Sequence, residues 1–383
     1  MRKSLYIHVP FCEQICHYCD FNKFFLQNQP VDEYLDLCME EMEKTVKTHP
    51  QTELIETIYI GGGTPTALST EQLKRLLEAV PKYFQLTDQV EWTVEVNPGS
   101  ADREKFEMMK NAGVNRLSIG AQTFDPELLK TINRDHGTGE AEHTVKLAQE
   151  SGIPNLSIDM MFGLPGQTMK QWKDSLQKAA ELDISHISAY SLKIEPKTVF
   201  YQMWNKGRLQ LPEQELEAEM YTYMLTFLKK HGFTAYEISN FSKHGLESMH
   251  NLAYWNNDEY YGIGAGAHSY VDGMRNRNHG PLPKYMKAVK NEELPYLEKH
   301  KVTKEEKMEE EMFMGLRKRL GVSKEQFYRR YNRGIEEVFP GVVEHLKNKL
   351  LLQEMDDRIM LTEEGLLLGN EVFEKFLFTA EEI

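Results

Sequence analysis

Tyr6-Ile-His-Val-Pro-Phe-Cys12-Glu-Gln-Ile-Cys16-His-Tyr-Cys19 carries a short apolar strand, residues 5–9, straight into three thiols at C-x3-C-x2-C spacing. Three is the informative number. A structural zinc site is closed by four ligands, and a four-iron cluster held wholly by protein takes four thiolates. Three close cysteines with no fourth nearby point instead to a cluster with one iron left open for a small molecule. The remaining cysteine, Cys38, falls in an expected helix over 31–43 and reads as a small buried hydrophobe. Zinc would need His8 or His17 as its fourth ligand, and His17 lies too tightly between two of the thiols. Purely structural thiols are the other alternative. Four cysteines in 383 residues make no disulfide framework, and thiolate ligands persist in a reducing compartment.

Outward from this loop the first two-thirds of the chain alternate short apolar strands (5–9, 57–60, 92–96, 116–119, 156–161, 187–192) with amphipathic helices. The helices are expected over 71–83, 103–111, 140–151 and 169–180. Ser69 stands three residues before Gln72, a capping-box spacing. Gly113 and Gly152 follow two helix ends, where a left-handed residue is wanted. Six strand–helix units in series predict an α/β fold with a parallel sheet and right-handed crossovers. Tyr6, His8, Gly61 to Thr64, Glu95, Asn97, Gln122, Asp159 and Lys193 fall at or just beyond strand carboxyl ends. Such ends converge on the mouth of a barrel and spread along an edge in an open sheet. A partial, open-sided (β/α)6 barrel of TIM type is therefore expected. Residues 1–300 form this body with an α/β continuation. Residues 301–383, charged helix followed by helix, short strand and helix, form a small helical, winged-helix-like domain.

Composition narrows the function classes. A net charge of −14 and the lack of a basic stripe argue against nucleic acid as partner. No charge-free apolar run approaches a membrane span, and the first ten residues are too short and too soon interrupted for a signal peptide. The 18 Tyr, 18 Phe and 19 Met read first as core.

Ile60-Gly-Gly-Gly-Thr64 follows a strand and precedes a helix. Consecutive glycines let backbone approach a ligand closely, or simply make a tight turn. No Lys of a phosphate-binding loop follows, which disfavours a nucleoside triphosphate. Glu95 ends an apolar strand and needs a partner there, a ribose diol or a cation, because burying an unpaired carboxylate is expensive. Gln122 and Asp159 are likewise single polar groups on apolar strands.

Together these residues resemble the radical S-adenosylmethionine (SAM) superfamily, whose mark is this cysteine loop after the first barrel strand. The resemblance implies a [4Fe–4S] cluster on Cys12, Cys16 and Cys19, with SAM on the open iron. It places Gly62, Gly63 and Thr64 near the methionine moiety and makes Tyr6, Tyr18, Glu95, Gln122, Arg134 and Asp159 further SAM contacts. Tyr6-Ile-His-Val-Pro-Phe-Cys12, Gly61-Gly-Gly-Thr-Pro-Thr66, Glu95-Val-Asn-Pro-Gly99, Gly163-Leu-Pro-Gly166 and Leu361-Thr-Glu-Glu-Gly365 are similar to the coproporphyrinogen-III-dehydrogenase-like branch. The resemblance covers nearly the whole chain.

Within that branch three features favour the heme-chaperone group over the dehydrogenase. Phe21 stands where the dehydrogenase carries a further cysteine. Five residues precede Tyr6, in place of the dehydrogenase's N-terminal extension. His250-Asn-Leu-Ala-Tyr-Trp255 matches an H-N-x-x-Y-W motif. The implied function is binding heme and delivering it to acceptor hemoproteins, membrane-bound respiratory proteins among them. The implied setting is the cytoplasm, peripherally at the membrane, with dimerisation open. The alternative is oxidative decarboxylation of coproporphyrinogen III through a 5′-deoxyadenosyl radical. A lone histidine is usually a hydrogen-bonded structural residue, yet histidine is also the commonest proximal ligand of heme iron. The resemblance puts His250 forward for that role, with Tyr254 and Trp255 against the porphyrin. His268 is expected near the SAM site or steadying its glycine-rich turn.

Overall fold

The computed structural model describes residues 3–134 and 136–378. Six parallel strands pair in chain order: β1 (Ser4–Val9), β2 (Ile55–Gly62), β3 (Leu86–Val96), β4 (Arg116–Gln122), β5 (Asn155–Phe162) and β6 (His186–Ser191). Helices α1 (Val31–Thr48), α2 (Thr70–Tyr83), α3 (Arg103–Asn111), α4 (Glu140–Glu150) and α5 (Met169–Glu181) alternate with them. A doubly wound sheet would reverse its strand order at a switch point. Here the order never reverses across the six, which is the barrel pattern.

Local signals are where they were expected. Ser69 and Gln72 form the full capping box of α2, and Thr168 with Gln171 repeats it on α5. Gly113 and Gly152 adopt φ of +105° and +85° just past α3 and α4, conformations that cost a side-chain-bearing residue more. Several elements run longer than expected; α1 continues to Thr48 through good helix formers, Glu43, Lys44 and Lys47.

The barrel does not close on itself. At the far side of β6 the sheet adds β7 (Thr234–Ala235) and β8 (Asn240–Ser242). On the other side β9 (Tyr260–Ile263) runs parallel to β1, and β10 (His268–Val271), β11 (Met274–Asn278) and β12 (Tyr296–Lys301) follow antiparallel. The sheet therefore has twelve strands, in the order β12-β11-β10-β9-β1-β2-β3-β4-β5-β6-β8-β7. The aromatic- and glycine-rich stretch after α6 (Gln214–Lys230) supplies this continuation, together with α7 (Met249–Trp255) and α8 (Leu282–Lys290).

After α9 (Lys304–Gly315), capped by Thr303 and Glu306, short helices surround a three-stranded sheet ordered Val322–Ser323, Arg358–Leu361, Leu352–Met355. Leu316, Phe327 and Phe376 belong to the same apolar core as the barrel strands. Among the described residues no helix is long and apolar enough to cross a membrane.

Candidate functional site

The cysteine loop is seated by backbone. Gly63 N donates to Val9 O at 2.8 Å and Thr64 N to Phe11 O at 2.7 Å. Phe24 N donates to Pro10 O, and Leu26 N to Cys12 O. This approach explains the glycine run differently from a ligand cradle. A Cβ on Gly62, whose φ is +113°, would lie 2.3 Å from the His8 ring; one on Gly63 would lie 2.8 Å from Phe11 O; one on Gly61 would strike the Glu95 carboxyl. The side chains are missing because protein packs there. Thr64 then reaches Cys12, Oγ1 to Sγ 3.7 Å.

Both zinc candidates are committed elsewhere. His8 Nδ1 faces Tyr6 Oη at 2.9 Å and its Nε2 faces Asn22 O at 2.7 Å. His17 Nδ1 lies 3.1 Å from Thr131 O, with its ring edge-on to Phe200. Among the described residues no three His, Cys, Asp or Glu side chains converge as they would on a single ion. Thiolates holding separate irons of one cluster need no such convergence. Burial pushes the Cys12 thiol up to about 11, against the Thr64 hydrogen bond that favours the thiolate. A metal's charge is what would hold it deprotonated. Cys38 is buried under Tyr285, whose hydroxyl reaches its sulfur at 3.4 Å, far from this chemistry.

The loop faces a cavity of ≈ 410 Å³ lined by all three cysteines, Tyr18, Gly62, Gly63, Thr64, Glu95, Gln122, Arg134 and Asp159. Of the expected SAM residues only Tyr6 is absent from this lining. Tyr6 and Asp159 sit mid-strand, not at strand ends, and point inward by the pleat. Glu95 accepts from Tyr59 Oη at 2.9 Å and Gly62 N at 3.1 Å, while burial, then the Asp159 charge, pushes its carboxyl up to about 7. Asp159 takes Ser118 Oγ at 2.9 Å from each oxygen and Ser157 Oγ at 3.3 Å, and burial raises it too. Arg134 is held by Asn97 Oδ1 and by Tyr18 Oη, the latter at 3.3 Å. Gln122 turns in at φ +63°, a conformation uncommon outside glycine. Buried Arg116, an additional lining residue at the start of β4, opposes the rise at Asp159. Its only sequence signal is a charge opening an apolar strand.

A second cavity, ≈ 920 Å³, shares the wall made by Phe21, Tyr59 and Glu95. Tyr6, His250, Tyr254, Tyr260, His268 and Arg277 line it. His268 therefore belongs here and not to the first cavity. Trp255 lines neither; Arg317 stacks over its ring at 5.2 Å, on the side of the C-terminal segment. Tyr254, its neighbour on α7, does line the second cavity.

His250 is buried to 1% exposure, with both ring nitrogens occupied. Thr57 Oγ1 lies 2.8 Å from Nδ1 and itself donates to Ser4 Oγ at 2.9 Å. The threonine hydroxyl is thus the acceptor, and Nδ1 carries the proton. Burial, with Arg116 nearby, pushes the imidazole down to about 3, so it is neutral and its lone pair is on Nε2. That nitrogen accepts from Tyr254 Oη at 3.0 Å. The tautomer suits metal ligation, and only Tyr254 stands in the way.

A model of the Radical SAM superfamily matches residues 6–179, and one of the HemN C-terminal domain matches residues 302–368. Along 98% of its length the chain is 50% identical to the Heme chaperone HemW of Bacillus subtilis, covering 99% of that protein. The chain belongs to the HemW family. The HemW of Escherichia coli is 39% identical over 70% of each chain. The HemW fold extends further: coproporphyrinogen III oxidase (HemN) from Escherichia coli, a radical SAM enzyme, superposes with a TM-score of 0.85 over 97% of this chain and 89% of its own, at 22% identity. As a HemW-family member of the radical SAM superfamily, the protein has a [4Fe–4S] cluster and SAM as cofactors. Three thiols and two buried carboxylates, both raised chiefly by burial, face one cavity and fit a cluster and a cationic sulfonium ligand.

Proposed function

We propose that this protein is a heme chaperone, holding a [4Fe–4S] cluster on Cys12, Cys16 and Cys19 and SAM in the adjoining cavity. Heme is its cargo for acceptor hemoproteins, membrane-bound respiratory proteins among them. The observation that carries the reading is the near-full-length relationship to HemW of Bacillus subtilis. Phe21 supports it: the side chain is 64% exposed between the two cavities, where the rival dehydrogenase reading calls for a cysteine. Tyr18, Gly62, Gly63, Thr64, Glu95, Gln122, Arg134 and Asp159 contact SAM, Tyr6 backs its wall through Tyr59, and His250 ligates heme iron once the Tyr254 hydroxyl withdraws. Residues 1–300 form the cofactor-bearing body and 301–383 a packed appendage. The setting is cytoplasmic, peripheral at the membrane.

Anaerobic reconstitution tests this. The reconstituted protein should bind heme stoichiometrically and leave coproporphyrinogen III unchanged in the presence of SAM and reductant. Accumulation of protoporphyrinogen would transfer the assignment to the dehydrogenase; absence of heme binding would remove the chaperone reading.

A further inference from the structure

We propose that the second cavity is the heme cradle and that Arg277 clamps a heme propionate at its far end, an inference that rests on the heme-binding reading above. The floor is a transverse row of the sheet. Tyr59 pairs with Tyr6, Tyr6 with Gly262, and His268 with Arg277. Between them Gly262 is bare because a Cβ would lie 1.9 Å from the His268 carbonyl. At about 4.8 Å per strand the row from Tyr59 to Arg277 runs roughly 19 Å along the sheet, and registered neighbours share a face.

The row is polarised in the way a heme is. Tyr6, Tyr59, Tyr254 and Tyr260 cluster at the barrel end, where aromatic faces suit a flat apolar ring. Gly262, buried between the two ends of the row, adds no side chain to it. Arg277 and His268 occupy the other end, and Lys23 and Lys197 also line the space. Arg277 is 40% exposed and its Nη2 meets Glu298, while no hydrogen bond occupies its Nη1 among the described residues. A guanidinium with that outer nitrogen free matches a carboxylate. Lys23 is tied to the Cys19 carbonyl, and Asp20 and Glu95 are the acidic members of the lining, both toward the cysteine loop. Propionates are therefore directed to the Arg277 end and the ring toward the tyrosines, with His250 behind Tyr254 at the ring end.

Equilibrium titration with heme and with heme dimethyl ester, whose carboxylates are blocked, tests the orientation. R277Q should weaken heme binding about tenfold and leave the dimethyl ester unaffected; R277K should recover part of the loss. L297W, at the lip of the same cavity, should weaken both ligands. Cluster absorbance and SAM binding, read in parallel, should stay at wild-type levels and show that the variants fold. Wild-type heme affinity in both R277Q and L297W would overturn the cradle while leaving the chaperone reading intact. No heme binding by the wild-type protein would overturn both.

Discussion

The Tyr59 hydroxyl donates to Oε1 of Glu95 at 2.9 Å while the same ring stacks on the His250 imidazole at 5.3 Å between centroids. One side chain thus touches the carboxylate of the smaller cavity and the histidine of the larger. Replacing Tyr59 with Phe keeps the stack and removes the donor, so SAM binding should weaken about three- to tenfold, a loss of about 1 kcal/mol, with a smaller effect on heme. Isothermal titration with each ligand measures this; equal losses for both would contradict the division of labour.

Glu95 and Glu41 are each pushed up to about 7, chiefly by burial. Between about pH 4.5 and 7 the folded protein holds protons that the unfolded chain has lost. The contribution of these two carboxylates to the stability of the cofactor-free protein should therefore fall as pH rises through that window and level off above it. E95Q should change the slope by removing its share, and Glu41, Asp159 and Glu237, all raised chiefly by burial, keep theirs. Thermal unfolding between pH 5 and 8 checks this; an unaltered slope in E95Q would refute it.

Histidines act in the opposite sense. Burial holds His250 down to about 3 and His8 down to about 4. Below about pH 6.5 the unfolded chain takes up protons that the folded protein refuses, so these residues cost stability as pH falls. H250A should reduce the acid-side slope. It should also shift the Soret band of bound heme, and an unchanged spectrum would remove His250 as ligand.

Gly63 tests the seating of the cysteine loop. In G63A the Cβ meets backbone atoms of Phe11 and Pro10 at 2.8 to 2.9 Å, which cannot swing aside as a flexible side chain would. We expect a loss of about 2 kcal/mol or more and iron content well below wild type after reconstitution. Gly334, where an added Cβ meets nothing within 4 Å, should tolerate Ala with near-normal iron content.

C38S separates the fourth cysteine from the triad. Its sulfur lies under Tyr285 in the core, so the substitution should cost roughly 1 kcal/mol and leave the iron stoichiometry untouched. C12A, C16A or C19A should each abolish the visible iron–sulfur charge-transfer absorbance of the reconstituted protein, because each removes a thiolate ligand of the cluster.

Local patterns explain which parts of the molecule were legible. The six strands, their capped helices and the cysteine spacing are short-range signals, and the first cavity follows because barrel strand ends converge. The second cavity joins residues 22, 59, 250 and 277, far apart in sequence and brought together only by the return of β9 to pair with β1. Thr57, which orients His250 from 193 positions away, carries no local mark. The glycine run was visible, but whether its bare backbone meets ligand or protein depends on His8, Phe11 and Glu95 folding over it. Trp255 shows the same limit: a motif gives its spacing but not which face of α7 meets a cavity.

The twelve-stranded sheet has two outer margins. One ends in β7, only two residues long. The other is β12, Tyr296-Leu-Glu-Lys-His-Lys301, mostly exposed and bearing Glu298, Lys299, His300 and Lys301 in succession. A very short strand and a charged strand are poor templates for strand addition from another molecule. The open barrel can therefore keep its mouth accessible without offering its backbone to fibrillar aggregation, and any pairing of two copies has to use a surface other than a shared sheet.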